Sequence, residues 1–179
     1  ECNYNLITAW RRIKACVRDY FMDTAPELKI KRDSPLFFPV DLDVGSKCFF
    51  FQCTSIEELK DNAFLDNRFF QADLGLKKLE YGQLSSTHWD IAKNIGFLFH
   101  TSFCCSTLLA RLLDFPDHSL VLKEPLIIRR LSDAELTGNS EAALQKIALN
   151  LLFRSVDDCA VLIKPTHVAL NIAESMMSY

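Results

Sequence analysis

No stretch of this chain approaches the run of about 20 apolar residues that a bilayer-spanning helix needs. No secretory leader pattern opens it either, so neither a membrane partner nor export is expected. The seven cysteines, Cys2, Cys16, Cys48, Cys53, Cys104, Cys105 and Cys159, include no C-x-x-C pair. That spacing excludes a zinc knuckle and a secreted disulfide framework, and no metal is expected. Thiols kept reduced in the cytoplasm are the simplest account. A basic stripe is lacking too. The formal charge is −3 and the pI about 5.8, which argues against a nucleic-acid partner. Internal repeats and low-complexity segments are absent.

What is present suits one globular unit. Of the 179 residues, 49% are hydrophobic and 24% charged, enough apolar surface to build a core and too little charge for disorder. Leu6, Trp10, Ile13, Val17 and Tyr20 recur at helical spacing and predict an amphipathic helix over residues 4–21. Residues 24–47 carry Pro26, Pro35, Pro39 and Gly45 and read as an irregular connection. The expected organisation is an N-terminal appendage, 1–47, and a main domain, 48–179. Glu1 is not an initiator methionine, and the chain stops inside a helical pattern at Tyr179. The expectation is a piece of a longer protein.

Cys48 to Cys53 reads as a short aromatic strand. Ser55 and Glu58 then form a capping box, with a helix over about 56–65. Residues 66–95 stay ambiguous between strand and loop. From residue 96 the rhythm is regular. Strands are predicted at 97–100, 119–122 and 160–163. Helices are predicted after Ser106, with Leu108, Leu109, Leu112 and Leu113 on one face, from Pro125 through Leu131, over 140–153, and from about Pro165 to Met176. Short, continuously apolar strands alternating with helices predict an α/β fold with a parallel sheet covered by helices.

The first of these strands leads through Thr101-Ser102-Phe103-Cys104-Cys105-Ser106-Thr107 directly into a helix. The first amides of a helix lack intrahelical partners, and the helix dipole adds partial positive charge there. A phosphate fits such a loop at the carboxyl end of a parallel strand. Capping of the helix accounts for the Ser106 and Thr107 hydroxyls equally well. The kinase-type pattern G-x-x-x-x-G-K-[ST] is not present, since the loop holds neither glycine nor lysine.

Phe97-Leu98-Phe99-His100-Thr101-Ser102-Phe103-Cys104-Cys105-Ser106-Thr107-Leu108-Leu109 resembles the 5′-phosphosulfate loop of the sulfotransferase superfamily. Leu122-Lys123-Glu124-Pro125 is similar to its Glu-Pro element, and Val161 to His167 to the Lys-x-Pro-x-His element of bacterial members. The resemblance covers roughly residues 96–179. It implies a P-loop nucleotide-binding, sulfotransferase-like fold with 3′-phosphoadenosine 5′-phosphosulfate as co-substrate and a small hydroxyl or amine acceptor. Ser102, Phe103, Cys104, Cys105, Ser106 and Thr107 would hold the nucleotide. Glu124 would act as general base, and Lys164 would stabilise the transferred group or the leaving phosphate. Two departures stand out. Phe103 occupies the position of a usual Lys or Arg, and Cys105 that of a glycine. Without the loop cation, Lys123 or Lys164 must balance the developing charge, or the chemistry is lost.

Among the remaining candidates, His100 reads as a locally hydrogen-bonded residue, and His167 similarly. Arg129-Arg130 reads as a solvated helix face. Cys104 and Cys105 sit near a helix N-terminus, which lowers thiol pKa values. Two alternatives stand beside sulfuryl transfer. One is a divergent nucleotide-dependent phosphotransferase. The other is a nucleotide-binding or interaction module that retains the fold without the chemistry.

Overall fold

Residues 36–69 and 76–179 are described by the structure, a computed structural model. The helix expected over 4–21 lies outside them, as does most of the ambiguous segment at 69–74.

The first sheet is antiparallel, with strands β1 (Leu36–Asp43), β2 (Cys48–Thr54) and β3 (Lys77–Glu80) in that order. Strand β1 corrects the irregular connection expected over 24–47 and carries the hairpin across the expected boundary at residue 47. Pro39 misled the sequence reading. It sits where the β1–β2 register shifts, between Pro39 and Asp41, on a strand that is an edge among the described residues and needs no ladder donor at that position. Five residues of β1 in succession, Leu36 to Val40, are buried. The hairpin turn is organised by Asp43, whose carboxylate accepts from the Gly45 amide at 3.0 Å and the Ser46 hydroxyl at 2.6 Å.

Helix α1 (Ile56–Asp61) begins with the expected capping box. The Glu58 amide donates to Ser55 Oγ at 3.1 Å, and the Ser55 amide donates to Glu58 Oε2 at 3.1 Å. It ends earlier than expected because Asn62 turns extended and its side chain caps the Glu58 carbonyl at 2.7 Å. Helix α2 (Tyr81–Ser85) follows β3.

The second sheet is parallel, with β4 (Ile95–Phe97), β5 (Ser119–Lys123) and β6 (Ala160–Lys164) in the order β4-β6-β5. Helices α3 (Ser106–Leu112), α4 (Leu126–Leu136) and α5 (Ala142–Leu152) flank it. A 3-10 helix (His167–Ile172) and α6 (Ala173–Met177) complete the described chain. The protein is thus α/β, with a small parallel sheet covered by helices. Among the described residues, no helix is long and apolar enough to cross a membrane.

Strand β4 lies earlier than the 97–100 expected. Its pairing runs from Ile95 opposite Val161 to Phe97 opposite Ile163, and one more bond, from the Leu98 amide to the Ile163 carbonyl at 2.9 Å, ends it. The larger departure is α3. Leu108, Leu109 and Leu112 are 60%, 44% and 61% exposed, although their spacing predicts an inward face. Only Ala110 of this helix is buried, so α3 meets β5 through its smallest side chain.

One continuous core joins the two sheets. Phe37, Phe49 and Phe51 of the hairpin belong to the same cluster as Leu120, Leu122, Val161 and Ile163 of the parallel sheet and Ile127, Leu144 and Leu151 of the helices. Arg154 crosses between the layers. It is buried and donates to the carbonyls of Leu151 at 3.0 Å and Phe37 at 2.5 Å.

Candidate functional site

Because β4, β5 and β6 are parallel, their carboxyl ends open on the same side, and three segments meet there. These are the loop from Leu98 to Cys105, Glu124 after β5, and Lys164 at the end of β6 with Pro165 after it.

The loop has two residues in the left-handed region, Phe103 at φ 60° and Cys105 at φ 56°. The position where the resembled family has glycine therefore adopts a glycine-type backbone with a cysteine side chain, at a cost of about 1–2 kcal/mol. Among the described residues, the amides of Phe103, Cys105 and Thr107 find no acceptor. Ser106 and Thr107 are half-buried at the start of α3, and Phe103 is fully exposed. Cys104 turns back, its thiol donating to the Thr101 carbonyl at 2.9 Å. Desolvation raises the pKa of this thiol, but hydrogen bonds with Ser106 and Thr101 outweigh it and leave the group below its ordinary range.

Glu124 and Lys164 come together. The Lys164 ammonium donates to Glu124 Oε1, and the Glu124 amide donates to the Lys164 carbonyl at 2.7 Å. Lys164 is buried, whereas the Glu124 side chain keeps 18% of its surface exposed. Glu124 also holds a positive φ of 55°. Of the seven non-glycine residues with positive φ among the described residues, three, Phe103, Cys105 and Glu124, thus lie at this end of the sheet. The other four are Lys47, Asp117, Asp157 and Asp158. Aspartate tolerates that conformation well, so apart from Lys47 in the β1–β2 turn the strained side chains among the described residues lie here.

His100 links these parts. Its Nδ1 lies 2.9 Å from the Thr101 carbonyl, its Nε2 2.9 Å from the Pro165 carbonyl, and Nε2 is 3.9 Å from Glu124 Oε1. The local bond expected of His100 is present. The bond to Pro165 was not legible, because it joins residues 65 positions apart.

Lys123 does not take part. Its ammonium donates to the Lys60 carbonyl at 2.8 Å and to Asp114 Oδ2 at 3.1 Å, fully buried beneath α1. Burial lowers its pKa against the attraction of Asp114. Of the two lysines weighed as replacements for a loop cation, only Lys164 stands beside Glu124. His167 is exposed at the start of the 3-10 helix.

Two cavities flank the His100–Glu124 contact. The first, of about 440 Å³, lies beside the loop and includes His100, Thr101, Cys104 and Ser106, with Phe99, Leu109 and Leu170 as its apolar wall. The second, of about 460 Å³, has Glu124 in its wall together with Arg68, Arg129 and Arg130. The arginine pair that reads as a solvated face is therefore partly turned to a cavity, and Arg130 is fixed by Asp41 at 2.8 Å. Arg68 escaped the sequence reading altogether. It lies in the segment without clear periodicity and carries no motif.

Compared with known proteins, the chain matches no family model, no curated protein and no solved structure.

Proposed function

We propose that the chain is a sulfotransferase-like protein of the P-loop α/β type. In this reading it transfers a sulfuryl group from 3′-phosphoadenosine 5′-phosphosulfate to a hydroxyl or amine. The observation that carries the proposal is the Glu124–Lys164 ion pair, standing at the ends of two adjacent parallel strands beside a loop with unpaired amides.

The loop amides and the hydroxyls of Ser102, Ser106 and Thr107 bind the 5′-phosphosulfate. The acceptor oxygen forms its bond to sulfur as the sulfur–oxygen bond to the 5′-phosphate breaks, and the acceptor proton passes to Glu124. Protonation of Glu124 removes the negative partner of Lys164. The buried ammonium is then unbalanced at the moment negative charge grows on the leaving phosphate, and it stabilises that charge. This coupling supplies what the loop lacks at Phe103. The same reading places the protein in the cytoplasm, with Cys104 and Cys105 as thiols.

A second reading is favoured by Phe103 itself. A fully exposed aromatic at the position of the usual cation suits a module that binds the nucleotide and no longer transfers. Calorimetry with 3′-phosphoadenosine 5′-phosphate against ATP, followed by transfer of labelled sulfate to a panel of acceptors, separates the cases. Selective binding with transfer supports the first reading, and selective binding without transfer supports the second. Equal or no binding of both nucleotides overturns both.

A further inference from the structure

The cavity outside Glu124 is unusual in its balance. Three guanidinium groups, Arg68, Arg129 and Arg130, line it with three carboxylates, Asp66, Asp133 and Glu124. Leu126 is the sole wholly apolar side chain in the wall. Resting on the sulfuryl-transfer reading above, we propose that this cavity receives the acceptor, and that the acceptor is a neutral, polyhydroxylated molecule of carbohydrate type.

The charges argue first. Three against three leaves no net field to attract an anion or a cation, and behind the wall Lys164 and Asp41 cancel in the same way. A phosphorylated or carboxylated acceptor would bring its charge against Asp66, Asp133 and Glu124 with no excess of cation in the wall to balance it. A flat aromatic acceptor would desolvate six charged groups against one leucine, an unfavourable exchange.

The hydrogen-bond inventory argues next. Arg68 donates through Nε and Nη2 to Asp66, at 2.8 and 2.5 Å, and its guanidinium lies 3.7 Å above the Phe64 ring. Arg130 donates through Nε and Nη2 to Asp41, at 2.8 and 3.1 Å. Both forks are therefore held rigid, and among the described residues each keeps its Nη1 donors unused. Among the described residues Arg129 donates only through Nε, to Asp133 Oδ1 at 3.4 Å. Asp133 Oδ2 and Glu124 Oε2 accept from no described residue. A hydroxyl donates and accepts through a single atom, and a wall of fixed donors beside open acceptors suits several hydroxyls in a row. The volume, about 460 Å³, lies within the range of small-molecule sites. Glu124 then meets one of those hydroxyls as the base.

The test is a titration of the full-length, nitrogen-15-labelled protein, following the Nε–Hε resonances of Arg68, Arg129 and Arg130. The probes are maltose, glucose 6-phosphate, glucosamine and 4-nitrophenol. Maltose is expected to move the three resonances along a saturable curve, with the other probes no tighter. Arg129→Gln, at an exposed position whose folding the backbone spectrum verifies, is expected to weaken maltose about tenfold, the loss of a charge-assisted hydrogen bond. The proposal is overturned if no sugar shifts the arginines, if R129Q binds maltose as well as the native chain, or if another probe binds about tenfold tighter than maltose. Parallel calorimetry with 3′-phosphoadenosine 5′-phosphate keeps the two ideas apart. Nucleotide binding without a sugar response removes this inference alone, and a sugar response without nucleotide binding removes the sulfuryl-transfer reading.

Discussion

Glu124 and Lys164 are bonded to each other twice, once through the backbone at 2.7 Å and once through their charges. The backbone bond extends the β5–β6 ladder past Lys123. The side-chain bond sets a buried ammonium against a carboxylate that still reaches solvent.

That asymmetry predicts unequal costs for the two halves of the pair. Glu124→Ala strands Lys164 as an unpaired buried cation and should lower stability by about 3 kcal/mol. Lys164→Met leaves a carboxylate that water can reach, and should cost about 1–2 kcal/mol. Urea unfolding of both variants reads the difference, and a more damaging K164M would contradict it.

Cys105 holds φ 56°, a conformation that costs a side-chain residue about 1–2 kcal/mol, whereas glycine adopts it freely. Glycine also adds unfolded-chain entropy, which offsets about 0.5–1 kcal/mol. Cys105→Gly should therefore raise stability by roughly 0.5 kcal/mol, seen as a higher urea midpoint. A loss of stability would mean that the cysteine side chain makes a compensating contact.

Thr107→Ala should weaken 3′-phosphoadenosine 5′-phosphate by about 1–2 kcal/mol in calorimetry, the scale of a hydrogen bond to a charged group. Unchanged affinity would leave the hydroxyl as a helix cap only.

Burial lowers the pKa of Lys123 below the ordinary lysine value of 10.5. The folded state therefore binds this proton less well than the unfolded chain does. Its contribution is fully present above that ordinary value and is lost as pH falls through the lowered one. Comparing about pH 8 with about pH 10, the native protein should gain stability on the alkaline side relative to Lys123→Met. Parallel pH profiles of the two proteins would refute this.

Helix α3 should tolerate charge on the face that its sequence marks as apolar. Leu108→Lys with Leu112→Lys should change stability by less than about 0.5 kcal/mol, because both residues are more than half exposed. Ala110→Leu, by contrast, should cost about 1–3 kcal/mol by overpacking against β5. Thermal unfolding of the two variants tests both.

Strands β5 and β6 were legible because they are short, mostly buried apolar runs bounded by turn residues, whereas β4, exposed or half-buried along its length, lies earlier than its apolar run suggested. The meeting of Glu124 with Lys164 followed from that topology, since parallel strands end together. Three features were not legible. Strand β1 was hidden by Pro39, which is harmless at an edge bulge and would break a central strand. The outward face of α3 was hidden because spacing reports which residues share a face, not which way that face turns. The cavity around Arg68 was hidden because its charges come from residues 66–68, 124 and 129–133, and no local pattern marks such an assembly.

Arg154 carries a consequence for how the molecule opens. Its guanidinium ties the carbonyl of Phe37, in the antiparallel hairpin, to the end of α5, and the core runs unbroken between the sheets. Neither sheet can come apart without stranding a buried cation and exposing the other's packing face. Their backbone amides should therefore exchange with solvent deuterons as one cooperative set, whereas the amides of the exposed loop at 102–105 exchange far faster.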